Sequence, residues 1–401
     1  MNFFSELPSF PPDAIFGLDS AFKEDPREEK IDLLIGVYVH PTKRFGGCSA
    51  IKKAMTLITE EETNKLYLPI EGFSGYIDEM RKMVFGSNDG MTSIFSCQSL
   101  GGTGALHLAA ILFATAPEVN KHVYISEQSW GNHERIFSNL GLGVSKYPYY
   151  DPDQQCLKIN EFFQFLKGVP EKSVILFQCC CHNPTGTDFS KSQWEEIAQI
   201  VKTKSLFPII DMAYQGFGDG LESDRFPVEL FVNREIPVAV AACSSKNFCL
   251  YGERVGMFAI YCLTEDSVKK VSSLMKEKIR GEYSNPPRHG ALIVNTIMKN
   301  PYLRQEWRDE LEEMRSAMNE KRKFFVEKLS AECKGAFDYI LNQKGFFGYP
   351  AFSKEQVDFL REQYAIYTAP GGRFNLNGIT EKNVAKIVKG FAEAYAQHRI
   401  S

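Results

Sequence analysis

The chain has 401 residues, 44% of them hydrophobic and 24% charged, with a formal charge of −4. That length suffices for a large core and two domains, and the near-balanced charge gives no reason to expect nucleic acid or a membrane surface as partner. Ten cysteines without regular spacing do not make a disulfide framework and point to a reducing, cytoplasmic setting.

The start, "MNFFSELPSFPPDAIF", lacks a basic n-region and a long apolar stretch, so no signal peptide is expected. Its prolines favour an extended arm over residues 1–12. "KIDLLIGVYV" reads as a strand. The longest apolar run, "GALHLAAILFATA", is too short to span a bilayer. From Ser96 to Cys262, short apolar runs at 122–126, 173–180, 206–211, 237–243 and 256–262 read as strands. Helical patterns lie between several of them, at 104–116 and at 190–204, where Ser190 is a good N-cap. The alternation predicts a mostly parallel sheet covered by helices on both faces. No helix separates the last two strands, which predicts one antiparallel edge. Cys179, Cys180 and Cys181 fall in a strand candidate whose side chains alternate faces, so they cannot converge on one zinc. They read as small buried residues, and no metal site is expected.

A long helix is predicted from Tyr302 to Cys333, with apolar positions three and four apart. Two strand patches, "FDYILNQKGFFGYP" and "AIYTAPGGRFNL", and an amphipathic helix from Thr380 to about His398 follow. The fold class is therefore α/β: a large domain over 46–312 with a mostly parallel sheet, and a smaller α+β domain from both chain ends, 13–45 and 313–401.

In an open parallel sheet, ligands bind beyond the carboxyl ends of the strands. Just past those ends stand Trp130, Asn183, Asp211 with Tyr214, and Ser245 with Lys246. "LGGTGALHLAA" opens a helix whose first amides, at Gly102 and Thr103, favour an anion. Alone, that stretch reads equally well as a tight turn, and it matches neither the dinucleotide nor the Walker fingerprint. Ser245 and Arg254 add hydroxyl and guanidinium donors suited to a phosphate ester. Alone, Asp211 reads as a turn or cap residue and Lys246 as a solvated surface group. Together they offer a carboxylate for a protonated ring nitrogen and an amine that desolvation can deprotonate near neutral pH. Anion cup, ring partner, aromatic plate and nucleophilic lysine suit pyridoxal 5′-phosphate.

These residues sit in motifs that resemble the class I, fold type I aminotransferases, in the aspartate/aromatic group. The motifs are "IGVY", "YLPIEG", "GGTGAL", "SWGNH", "CCHNPTG", "DMAYQGF", "SKNF" with "LY" and "ERVG", "IRGEYSNPP" and "GGRFNLNG". They occur in the family's order between Gly36 and Gly378. The resemblance implies that Lys246 carries pyridoxal phosphate as a Schiff base and that Asp211 pairs with its pyridine nitrogen. It implies that Tyr214 and Asn183 donate to the ring oxygen, and that Trp130 packs on the ring. Gly102, Thr103, Ser245 and Arg254 would hold the phosphate, with Tyr67 from a neighbouring subunit. Arg373, with Asn183 and Gly36, would hold the substrate α-carboxylate, and Arg280 of the neighbour the distal one. Taken alone, Arg373 and Arg280 would read as solvated arginines. A planar fork suits both carboxylates better than a lysine would.

The implied activity is transfer of the amino group from L-aspartate to 2-oxoglutarate, giving oxaloacetate and L-glutamate. The alternative is an aromatic amino acid as donor. The implied partners are small dicarboxylic amino acids, 2-oxo acids and a second copy in a homodimer with shared sites. The chain departs from the family pattern at Val39, His40, Cys243, Ser244 and Arg288. Cys243 replaces a phosphate-binding serine with a weaker donor.

Overall fold

Seven strands from the middle of the chain form one sheet. They are β1 (Ile94–Leu100), β2 (His122–Ser126), β3 (Gly143–Tyr147), β4 (Val174–Gln178), β5 (Phe207–Met212), β6 (Val238–Cys243) and β7 (Val255–Tyr261). The structure is a computed structural model and describes residues 3–9, 14–34, 36–40, 48–61, 64–86 and 91–397. Residues 10–13 and 41–47, which include parts of the expected arm and of the stretch after His40, lie outside it.

The spatial order is β1-β7-β6-β5-β4-β2-β3. β6, β5, β4, β2 and β3 pair in parallel, and β7 runs antiparallel to both β6 and β1. The mostly parallel sheet is as expected, but the antiparallel strand is not at an edge. The sequence pattern missed β1, which covers β7, and β3, whose "GVSKY" is too polar to read as a buried strand. β6 is buried at every position, the signature of a central strand covered on both faces. The helix Gly101–Thr115 packs on β1, β6 and β7. Its Leu108, Ala109 and Leu112 join Val123, Leu176, Ile209 and Phe258 of the sheet in one core. Each fully buried Leu or Ile contributes about 1.5–3 kcal/mol.

The chain divides into two units. The larger comprises Val37–Glu320 and Asn342–Phe346, and the smaller Met1–Gly36, Lys321–Leu341 and Phe347–Ser401. In the smaller unit, Ile31–Asp32 pairs in parallel with Ile366–Tyr367, and Phe347–Gly348 pairs antiparallel with Phe374–Asn375. The expected strand over 337–350 is instead a 3-10 turn, Asp338–Asn342, followed by that two-residue strand. Phe337 is drawn edge-on against Tyr395 and Phe352, so aromatic packing overrides the strand propensity. Ala14–Glu24 is helical, where no helix was expected. The last helix, Val384–Gln397, starts later than Thr380. There the Asn383 side chain accepts from Thr380 N at 2.8 Å and donates to Gly378 O at 2.8 Å, closing a turn instead. Among the described residues no helix is long and apolar enough to cross a membrane.

Candidate active site

The antiparallel β7 explains how Arg254 meets residues that follow parallel strands. β7 begins at Val255, opposite Leu100 at the end of β1, and Gly256 lies opposite Cys243 at the end of β6. The start of β7 therefore shares a rim with the carboxyl ends of the other strands. The approach is close: a Cβ on Gly256 would lie 2.6 Å from the carbonyl carbon of Gly101, and one on Gly101 would lie 2.6 Å from Arg254 Nη2. Gly101 has φ +68°, a conformation glycine adopts without strain. No side chain caps the helix that starts there, so its first amides face outward with the positive end of the dipole.

A cavity of about 200 Å³ opens at this rim. Gly102, Thr103, Trp130, Asn183, Asp211, Tyr214, Ser245, Lys246 and Arg254 all line it. The structure thus brings together nine residues singled out from the sequence. Arg254 Nη1 donates to Ser245 Oγ at 3.5 Å. The Lys246 ammonium lies 5.0 Å from the centre of the Tyr214 ring. Tyr214 is buried and packs edge-on against Phe346.

Four further participants, Ser129, His133, Gln178 and Cys243, were not assigned to the site as candidate residues. His133 Nε2 is 3.0 Å from Asp211 Oδ2, and its Nδ1 is 2.8 Å from Ser129 Oγ. Trp130 packs edge-on against the same imidazole, so the chain entering the helix Asn132–Ser138 supplies both the aromatic plate and the aspartate's partner. Gln178, the last residue of β4, lines the cavity and accepts from Asn183 N at 2.8 Å while donating to Asn183 O at 3.0 Å. A polar residue closing an apolar strand was the available signal. Cys243, noted as a departure, also lines the cavity and accepts from Ser245 N at 3.3 Å.

Lys246 differs from expectation in its charge. Burial presses the ammonium down, but its electrostatic interaction with Tyr214, Cys243 and Asp211 outweighs it, and the pKa lies above the ordinary lysine value. The chain by itself therefore does not deprotonate Lys246.

Other expected residues lie elsewhere. Tyr67 is 91% exposed, and Arg280, also exposed, donates to Ser284 Oγ in the last turn of the helix Glu265–Glu282. Neither lines the cavity of its own chain. Gly36 and Arg373 belong to the smaller unit. There Arg373 is buried, donates to Leu34 O at 2.7 Å and stacks 4.1 Å from the Phe347 ring centre. Among the departures, Ser244 faces away into a bond with Tyr76 at 3.1 Å. Val39 is exposed, His40 lies 3.7 Å from Glu313, and Arg288 donates to Asn64 at 3.2 Å. Cys179, Cys180 and Cys181 are buried as expected, but they follow the end of β4, so alternation of faces does not govern them.

Comparison with known proteins matches residues 28–391 to the family model "Aminotransferase class I and II". An aspartate aminotransferase of Escherichia coli is 38% identical over 390 residues, 96% of this chain and 98% of that protein. A tyrosine aminotransferase of Klebsiella pneumoniae is 35% identical over 394 residues, 97% and 99% of the two chains. The crystal structure of an aromatic-amino-acid aminotransferase from Burkholderia pseudomallei, covalently bound to pyridoxal phosphate, superposes with a TM-score of 0.93 at 36% identity, covering 98% of this chain and 100% of that one. With the family model spanning most of its length, the chain belongs to the class I and II aminotransferases.

Proposed function

We propose that the chain transfers the amino group of L-aspartate to 2-oxoglutarate, with pyridoxal 5′-phosphate bound covalently to Lys246. The observation that carries this reading is one cavity that holds an amine, a buried carboxylate and an uncapped helix start flanked by a guanidinium. The donors fit the cofactor: glycines where a side chain would collide leave room for a phosphate, and Thr103, Ser245 and Arg254 supply its hydrogen bonds. When bound, that group supplies an electron sink for charge developing at the substrate α-carbon.

The chain's own residues do the rest. Asp211, oriented by His133, would accept from the ring N–H, while Asn183 and Tyr214 would donate to the ring oxygen. A ring N–H paired with Asp211 compensates that carboxylate's charge and so weakens one of the influences that keep Lys246 protonated. In its neutral form Lys246 Nζ would take the proton from the substrate α-carbon and serve as the general acid for its return. Arg373, with Gly36, would hold the substrate α-carboxylate. Arg280 and Tyr67 serve the site of a second copy in a homodimer, Arg280 at the distal carboxylate and Tyr67 at the phosphate. Among the described residues the cysteines are free thiols, most of them buried, which suits a reducing compartment such as the cytoplasm.

The test is spectral and kinetic. Purified protein loaded with cofactor should absorb in the visible, and aspartate alone should convert that band to the pyridoxamine band. Unchanged absorbance with every amino acid tried would sink the proposal. A second reading, aromatic amino acids as donors, draws on the aromatic relatives. Comparing kcat/KM for aspartate and phenylalanine separates the two.

A further inference from the structure

Behind the active-site cavity lies another of about 210 Å³, lined by Cys179, Asp188, Asp224 and Lys344 among others. The end of β4 divides the two: Gln178 faces the front cavity and Cys179 the rear one. Asp188 accepts from the backbone amides of Cys181 at 2.8 Å and His182 at 2.9 Å, the two residues before Asn183. Asp224 accepts from those of Gly216 at 2.8 Å, Gly218 at 3.0 Å and Asp219 at 2.7 Å, just after Tyr214. Cys179 Sγ ties the two loops by donating to Asp224 O at 2.8 Å.

We propose that Asp188 and Asp224 are positioning residues for the reaction, two carboxylates that fix from behind the loops presenting Asn183 and Tyr214. The proposal rests on the reading of Asn183 and Tyr214 as donors to the cofactor ring. A carboxylate has two oxygens and about four lone-pair sites, so it can gather several amides from one loop, whereas an asparagine offers one oxygen. Small displacements of a positioned donor change rates strongly, which makes the backbone of these loops a lever on kcat.

The same geometry makes the device sensitive to pH. Burial pushes the Asp188 carboxyl up to about 6, against the amides of His182 and Cys181 and the charge of Lys344, with Asp224 adding to the rise. Burial likewise raises Asp224, beside Asp219. Among the other groups facing the pair are Lys191, which lines the same cavity, Arg315, Tyr149 and the Cys179, Cys180 and Cys181 thiols, and Lys344 is itself paired with Asp219 at 2.5 Å. Below that pH, a protonated Asp188 presents a hydroxyl to one of its two amides and frees the loop there.

The experiment uses the cofactor-loaded enzyme and aspartate. Asp188→Asn should lower kcat about 10-fold while KM stays within about two-fold, and its kcat should lose the wild-type fall below about pH 6. A variant whose kcat–pH profile superimposes on wild type overturns the proposal, whatever its melting temperature. Should Asp188→Asn fail to fold, amide hydrogen exchange on the wild-type holoenzyme decides. Protection at Cys181 and His182, corrected for intrinsic exchange, should drop as pH falls through about 6. Protection that stays constant overturns the proposal. A wild type that forms no coloured adduct overturns the underlying reading instead, and the exchange result still separates the two failures.

Discussion

The front and rear of the β4–β5 end use the same functional group in opposite ways. In front, Asp211 meets a side chain, with His133 Nε2 at 3.0 Å from its Oδ2. At the rear, Asp188 and Asp224 meet main chain, gathering five amides between them. A carboxylate oriented by one histidine is set to face a ligand. Carboxylates that accept from the backbone are committed to holding loops. Residue type does not distinguish them: Asp211 sits near the end of β5 and Asp188 in the loop after β4, and both are aspartates in or beside the family motifs.

Substitutions can break this comparison in order of effect. Lys246→Ala should lower turnover by a factor on the order of 10⁴ or more while the cofactor still binds without a covalent bond, as read by single-turnover kinetics and the absorbance of dialysed protein. Asp211→Asn, nearly identical in shape, should lower kcat about 10²- to 10³-fold because a neutral amide no longer balances a protonated ring. An Asp211→Asn enzyme with full kcat would erase the distinction between front and rear acids. His133→Gln should cost about 10-fold in kcat, equivalent to about 1.4 kcal/mol, with little change in KM. That effect should vanish when measured in an Asp211→Asn background if His133 acts through Asp211, a double-mutant cycle.

The smallest expected effect is on stability and concerns sign. Burial, then the nearby His133, holds His182 well below the ordinary 6.5. Below that value the unfolded chain binds a proton that the folded chain refuses, so the stability contributed by His182 is full above 6.5 and falls with acid. Asp188 acts oppositely in the global balance: with its carboxyl raised from 3.8 to about 6, acidification through that window favours the folded chain over the unfolded one, even as it loosens the local hold on the Cys181 and His182 amides. The melting-temperature gap between wild type and His182→Asn should therefore narrow from about pH 7.5 to about pH 5. The difference between wild type and Asp188→Asn should move the other way.

Much of the site could be read from residue order. An apolar strand that ends in a polar residue places that residue at a rim, and the strands before Trp130, Asn183, Asp211 and Lys246 all follow the rule. The glycine-rich helix start was legible for the same reason: only glycine admits the backbone so close to Arg254. His133 stood in the "SWGNH" motif, but its pairing with Asp211 was not legible, since a histidine in a short polar helix carries no period that marks a partner. Nor was Asp188, whose partners are backbone amides and leave no trace in residue type.

Sequence by itself determined the alternation of apolar strands and helices, and hence a sheet with its chemistry at the carboxyl ends, because burial and periodicity are local properties of the chain. Tertiary structure alone decided that β7 lies inside the sheet between β1 and β6, which brings Arg254 to the cavity. It also decided the charge of Lys246, set by Tyr214, Cys243 and Asp211 from three different segments. Pairing partners and electrostatic fields depend on distances between residues far apart in the chain, and only packing fixes those distances.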